Sequence, residues 1–183
     1  MWPETDDDRE LIRDLARTVV GEVAAEELAG FEVFIDDYFE NLERPEGEGA
    51  SDEALGSGLL DPALISQVVA YATGAGLMLL LQALRDAVKD EFKELSKMVL
   101  KRLLRRTPQP GESITVHSKQ DNAPPSVVLN ISIENMTVVT EVSMVQLAET
   151  VQQAIRQCGV PEARVEEIAG AVVRQLVQPA DEN

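Results

Sequence analysis

From Pro62 to Leu84 the chain runs for 23 residues without one charged side chain. A helix of that length and composition can cross a bilayer. It is equally what the centre of a helical bundle contains, apolar around nearly its whole circumference. In neither case can it stand bare in water, so the rest of the chain must either cover it or deliver it to lipid. The flanks sharpen the question. Residues 1–61 carry 19 acids and 4 bases, residues 62–106 carry 4 acids and 8 bases, and residues 107–183 carry 10 acids and 4 bases. A basic island thus lies between two acidic blocks in a chain of net charge −17. Such an excess of carboxylates repels phosphates at long range, so nucleic acid is not an expected partner. The island calls for internal attraction, a protein partner or self-association, or an anionic membrane surface.

Before the apolar run the periodicity is helical. Leu11, Ile12, Leu15, Ala16, Val19, Val20, Val23 and Ala24 recur every third or fourth residue, which predicts a helix from Asp6–Asp8 to Gly30, capped by Thr5 or Asp6. A second helix is expected over 31–43. Its stripe of Phe31, Phe34, Ile35, Tyr38, Phe39 and Leu42 reads as core, with a ligand pocket or docking face as the other use of so many aromatic rings. Residues 44–60, with Pro45, Gly47, Gly49, Gly56 and Ser57 among acids, read as a linker.

A single long helix is then expected over 62–106, with Asp61 as its cap and Pro62 in its first turn. The stripe Leu77, Leu81, Leu84, Val88, Phe92, Leu95, Val99, Leu103 continues across the charge boundary at Arg85. Pro108 and Pro110 end it. Beyond them the period falls to two. Strands are expected over 113–118, over 127–133, where Val127, Leu129, Ile131 and Ile133 alternate with Val128, Asn130 and Ser132, and over 136–142 after a turn at Glu134-Asn135. Helices over 144–157 and 161–178 follow, separated by Gly159 and Pro161. The fold class is therefore mostly α with a small α+β part. N-terminal helices pack on one long central helix, and a three-stranded antiparallel meander and a C-terminal helix pair follow. The expected division is a helical domain over 1–106 and a small α+β module over 107–183.

Catalytic chemistry is hard to find. His117 is the only histidine and Cys158 the only cysteine, and nothing in their spacing brings them together as a thiol–imidazole pair. Neither Asp6-Asp7-Asp8 nor Asp36-Asp37 follows a calcium-loop pattern. Gly74-Ala75-Gly76 follows no strand and precedes no lysine, so it is no phosphate loop. The expectation is a protein without enzymatic activity, cofactor or metal. A hydrolase built on Cys158 or His117 is the weaker reading.

Two stretches carry the functional expectation. The basic helix end, Lys97, Lys101, Arg102, Arg105 and Arg106, reads as a solvated helix terminus, as a counter-charge to the acidic helices within or between chains, or as a contact for anionic lipid heads. The segment marked by Val69, Gly74, Gly76, Leu77, Leu80 and Leu81 is either buried core or membrane-inserted. Ser66, Gln67, Thr73 and Gln82 dilute its hydrophobicity and favour the core. No basic-then-apolar signal opens the chain, so the expected location is the cytoplasm, or a membrane reached from the cytoplasmic side.

Val20-Gly21-Glu22-Val23-Ala24-Ala25-Glu26-Glu27-Leu28, within Val19 to Phe39, and Cys158-Gly159-Val160-Pro161-Glu162-Ala163-Arg164 resemble segments of an uncharacterised bacterial family of small acidic helical proteins with a central apolar helix. The chain departs from that pattern at Ala29, where many members have proline. The resemblance implies a bacterial origin and a defence or signalling setting, and carries over no activity and no site residue. The expected role is a regulatory or effector component working through protein–protein contacts. The alternative is a membrane-anchored or membrane-perturbing protein that inserts 62–106 once released from its acidic N-terminal segment.

Overall fold

The computed structural model describes residues 3, 5–43, 64–88, 92–117, 124–133 and 136–178. The described residues form helices α1 (Asp6–Val23), α2 (Phe31–Glu43), α3 (Ile65–Ala87), α4 (Lys93–Leu104), α5 (Met144–Gln157) and α6 (Glu162–Val177), with a short 3-10 helix over Ala25–Ala29. Strands β1 (Ser113–His117), β2 (Ser126–Ile133) and β3 (Met136–Ser143) form one antiparallel sheet in the order β1-β2-β3. The fold is the expected one: mostly helical, with a meander followed by two helices. The linker 44–60, the cap at Asp61 and the turn at Glu134-Asn135 lie outside the described residues.

Two compact units emerge. One comprises residues 1–75 and 151–175, the other residues 76–150 and 176–183. Most of α6 joins the N-terminal helices, because Val165, Ile168, Ala169, Val172 and Val173 supply a buried face there.

In the first unit, α1 begins in a capping box. The Thr5 hydroxyl accepts from the Asp8 backbone N–H at 3.2 Å, and the Asp8 carboxylate accepts from the Thr5 N–H at 3.0 Å. Leu11, Ile12, Leu15, Ala16, Val19 and Val20 face inward, and Phe31, Ile35, Tyr38 and Phe39 of α2 meet the same core. The helix does not run on to Gly30 as expected. It stops at Val23, where Ala24 leaves helical geometry (φ −155°, ψ 56°). The Val23 carbonyl accepts instead from the Arg164 guanidinium of α6 at 2.7 Å. The tighter turn that follows brings Glu27 to the start of α3. Its carboxylate accepts from the Ile65 N–H (2.9 Å), the Ser66 N–H (2.8 Å) and the Ser66 hydroxyl (2.6 Å). The orphan amides of a helix N-terminus thus find an anion 38 residues away in sequence.

In the second unit, Ile114, Leu129 and Thr140 stand opposite one another across the sheet, as do Val116, Val127 and Val142. This face is covered by α4, which packs on β2, and by the second half of α3, whose Ala83 carbonyl accepts from the Thr140 hydroxyl at 3.3 Å. Val127, Leu129 and Ile131 are fully buried. The expected single helix over 62–106 is two helices, since α3 ends at Ala87 and α4 begins at Lys93. A leucine stripe can run through a break, because it records only that both helices bury a face. Glu112 ties α4 to the turn that follows it. Its side chain is fully buried, and its oxygens accept from Arg102 Nη2 (2.5 Å), Arg102 Nε (3.3 Å) and the Gln109 N–H (2.9 Å).

Two substitutions test these ties. Glu27→Ala removes the anion from the start of α3 and is expected to lower stability by about 1–2 kcal/mol in urea titration, as for other lost helix caps. Glu112→Ala strands a half-buried guanidinium and is expected to cost about 3 kcal/mol, read in the same titration.

Candidate interaction surfaces

The apolar segment is largely enclosed. Val69, Leu77 and Leu80 are fully buried, Leu81 is 2% exposed, and Gly74 and Gly76 are buried as well. A side chain at Gly74 would meet Ile12 Cδ1 at 3.8 Å and the Tyr38 hydroxyl at 3.9 Å, so α3 lies close against α1 and α2 there. Three polar residues in the run meet protein partners. Ser66 holds Glu27, the Gln67 amide donates to the Phe34 carbonyl at 3.3 Å, and the half-exposed Tyr71 donates to Gln157 Oε1 at 3.2 Å. One narrow stripe of α3 remains at the surface, including Tyr71, Ala75, Met78 and Gln82.

An arginine ladder went unread in the sequence. Arg9, Arg13 and Arg17 are spaced four apart on α1, and Glu32, Asp36 and Glu40 four apart on α2. Arg13 pairs with Asp36 and with Glu32 (Nε–Oε2 3.3 Å), and Arg17 pairs with Glu32. Arg9 and Arg13 lie over the Phe39 ring at 5.7 and 5.8 Å, and Arg17 lies over Phe31 at 5.3 Å. The phenylalanines are thus core on one side and cation platforms on the other. What the first unit presents outward is chiefly acid, with Asp14, Asp37 and Glu40 among the exposed carboxylates.

The five cations of the basic helix end divide by environment. Lys97 is buried at 8% exposure, and Arg102 is committed to Glu112. Lys101 is half-buried. Arg105 and Arg106 are exposed, beyond the last turn of α4. The helix closes there with the paired bonds of a Schellman motif: the Thr107 N–H donates to the Arg102 carbonyl (2.9 Å) and the Arg106 N–H to the Leu103 carbonyl (3.2 Å). Arg106 itself has φ 57°. It occupies the left-handed position where helices usually place glycine, as α5 does with Gly159 at φ 76°.

Cys158 is buried and its thiol donates to the Ala154 carbonyl at 3.3 Å. Burial pushes it up to about 11, so it is a poor nucleophile at neutral pH. Burial likewise raises Tyr38 and Tyr71. His117 is exposed at the end of β1 in the other unit. Two open clefts border the second half of α3. One, of about 420 Å³, includes Gln82, Asp86, Glu141 and Gln146 in its lining; the other, of about 480 Å³, includes Met78, Arg85, Lys93 and Glu94. Neither contains a thiol or an imidazole. Among the described residues no three His, Cys, Asp or Glu side chains stand together as metal ligands. No protein-family model, no curated protein and no solved structure matches the chain.

One exposed ion pair has a measurable titration. Hydrogen bonds from Arg156 (2.7–3.2 Å) hold the Glu162 carboxyl below the usual carboxylate range. A folded-state value below the unfolded one means that this pair stabilises above the ordinary carboxylate range and that its contribution is lost as pH falls through the lowered value. In an NMR titration Glu162 is expected to titrate below the other exposed glutamates, and Arg156→Gln to return it towards them.

Proposed function

We propose that this chain is a non-enzymatic regulatory or effector component that works through ionic protein–protein contacts. The observation that carries the reading is Arg106. A bulky side chain in the left-handed region costs of order 1 kcal/mol relative to glycine, yet a cation stands there beside exposed Arg105 and half-buried Lys101. Retained strain at a surface site is a pointer to use. The enclosed apolar helix supports the same reading, because it leaves charge as what the molecule offers to a partner. Lys101, Arg105 and Arg106 form the basic contact, and the acidic face of α1 and α2 is its counterpart on another protein or another copy. A setting in bacterial defence or signalling rests on the family resemblance alone.

A second reading has one observation in its favour. The 23 residues Ile65–Ala87 are long and apolar enough to cross a membrane, with a mean hydropathy of 1.5 over the best window. Of that window 61% is already buried in the protein, so insertion requires the acidic helices to let go of it.

Arg106→Gly separates the two. It relieves the backbone and removes the cation, so the variant is expected to gain about 0.5–1 kcal/mol in stability while losing its partner. Native lysates run by size exclusion should show the wild type in a complex that raised salt dissolves. Arg106→Gly, combined with Arg105→Ala, should run as a 20.0 kDa monomer at low salt. A wild type that is monomeric at every salt concentration, or that pellets with carbonate-washed membranes, would overturn the ionic-contact reading, and the second of these outcomes would favour the membrane one.

A further inference from the structure

Among the described residues β1 borders the sheet and pairs with β2 alone, while β3, at the other border, carries the carboxylate of Glu141. The five residues of β1, Ser-Ile-Thr-Val-His, contain none of the devices that close an edge to other strands: no proline, no lysine, no carboxylate. Between Thr107 and Ser118 the one acid is Glu112, which is buried and paired with Arg102. In a chain of net charge −17, no exposed carboxylate therefore lies along β1 to repel a second copy. Val116, on the same face as buried Ile114, is 43% exposed.

From this we infer that β1 pairs antiparallel with β1 of a second copy, about a two-fold axis at Thr115. That register sets Thr115 against Thr115, Ile114 against Val116 and Ser113 against His117. All five residues then overlap, apolar side chains continue one face of a six-stranded sheet, and polar ones continue the other. A slip of one residue would set apolar against polar faces. A slip of two keeps the faces but shortens the overlap. The proposal does not depend on Arg105 and Arg106, and it predicts the opposite response to salt. Raising salt screens the repulsion between two acidic chains and strengthens the pairing, whereas it weakens an acid–base contact. Five residues against five bury less than a standard interface of about 1,200 Å² or more, so the dimer is weak and is sought at high concentration.

Sedimentation equilibrium of the purified full chain at up to about 0.5 mM is expected to show a monomer–dimer equilibrium. Its Kd should fall at least about threefold between roughly 0.05 and 0.5 M NaCl, the direction that screening dictates. Val116→Lys should leave only monomer. Val145→Lys, at another exposed apolar position (49%) on α5, should behave as wild type. Thr115→Cys should cross-link to itself under mild oxidation, whereas Ser113→Cys should not, because its two copies would lie about 13 Å apart, beyond disulfide reach. Buried Cys158 supplies the unlinked baseline. A wild type that stays monomeric in high salt, a Val116→Lys variant that dimerises normally, or equal cross-linking at 113 and 115 would each overturn the proposal. A dimer that salt dissolves and that Arg105→Ala/Arg106→Gly abolishes would do so too, while supporting the ionic contact.

Discussion

The carboxylate of Glu27 at the start of α3 is the interaction on which the first unit is organised. A 23-residue apolar helix has no sequence-local means of choosing where to lie. Hydrophobic burial is non-directional and would accept many registers. Three hydrogen bonds to one anion fix the first turn of the helix in position and in rotation. Once that turn is set, Gln67 reaches the Phe34 carbonyl and Gly74 meets Tyr38 and Ile12. The same event explains why α1 must stop at Val23. A continuous helix to Gly30 would carry Glu27 along the axis of α1, whereas the break at Ala24 and the tighter turn after it bring the carboxylate across to its target.

Much of this architecture was legible in the sequence because it depends on short-range periodicity. The heptad-like spacing of Leu11 to Val20, the period-two run from Val127 to Ile131, and the Gly159–Pro161 punctuation each dictate local structure by themselves. What was not legible depends on partners distant in the chain. The end of α1 is set by Arg164, 141 residues away, and the start of α3 by Glu27, so neither boundary is visible in its own neighbourhood. The break after Ala87 was hidden for another reason: both α3 and α4 present leucines at helical spacing, and the spacing holds across the interruption. Among the candidate contact residues, sequence could group five cations but could not separate Lys97 and Arg102, which the second unit uses internally, from Arg105 and Arg106, which it exposes.

Charge is arranged at two scales. At short range most of the described arginines have an acid at hand: Arg13 and Arg17 with Glu32 and Asp36, Arg156 with Glu162, Arg174 with Glu22, Arg102 with Glu112. Pairs of this kind on the surface add little stability each, but Arg13 and Arg17 also cap the rings of Phe39 and Phe31 and so shield core edges from water. At long range the pairing cannot succeed, because the acids outnumber the bases by 33 to 16. The excess gives the molecule a strongly negative long-range field.

The end of α4 exposes cations instead, and its backbone is unusual there. A Schellman closure needs a left-handed residue, and glycine meets that need at no steric cost. The chain applies that solution at the end of α5, with Gly159, so the option is within its repertoire. At α4 it places arginine in the same conformation, next to a second arginine that also points to solvent. Favourable interaction with the helix dipole cannot account for the choice, because Lys101 and Arg102 already stand in the last turn, where that interaction is strongest. The bond from Arg106 to Gln178 at 3.0 Å offsets part of the strain. The guanidinium of Arg106 is thus held at a conformational expense that glycine would avoid.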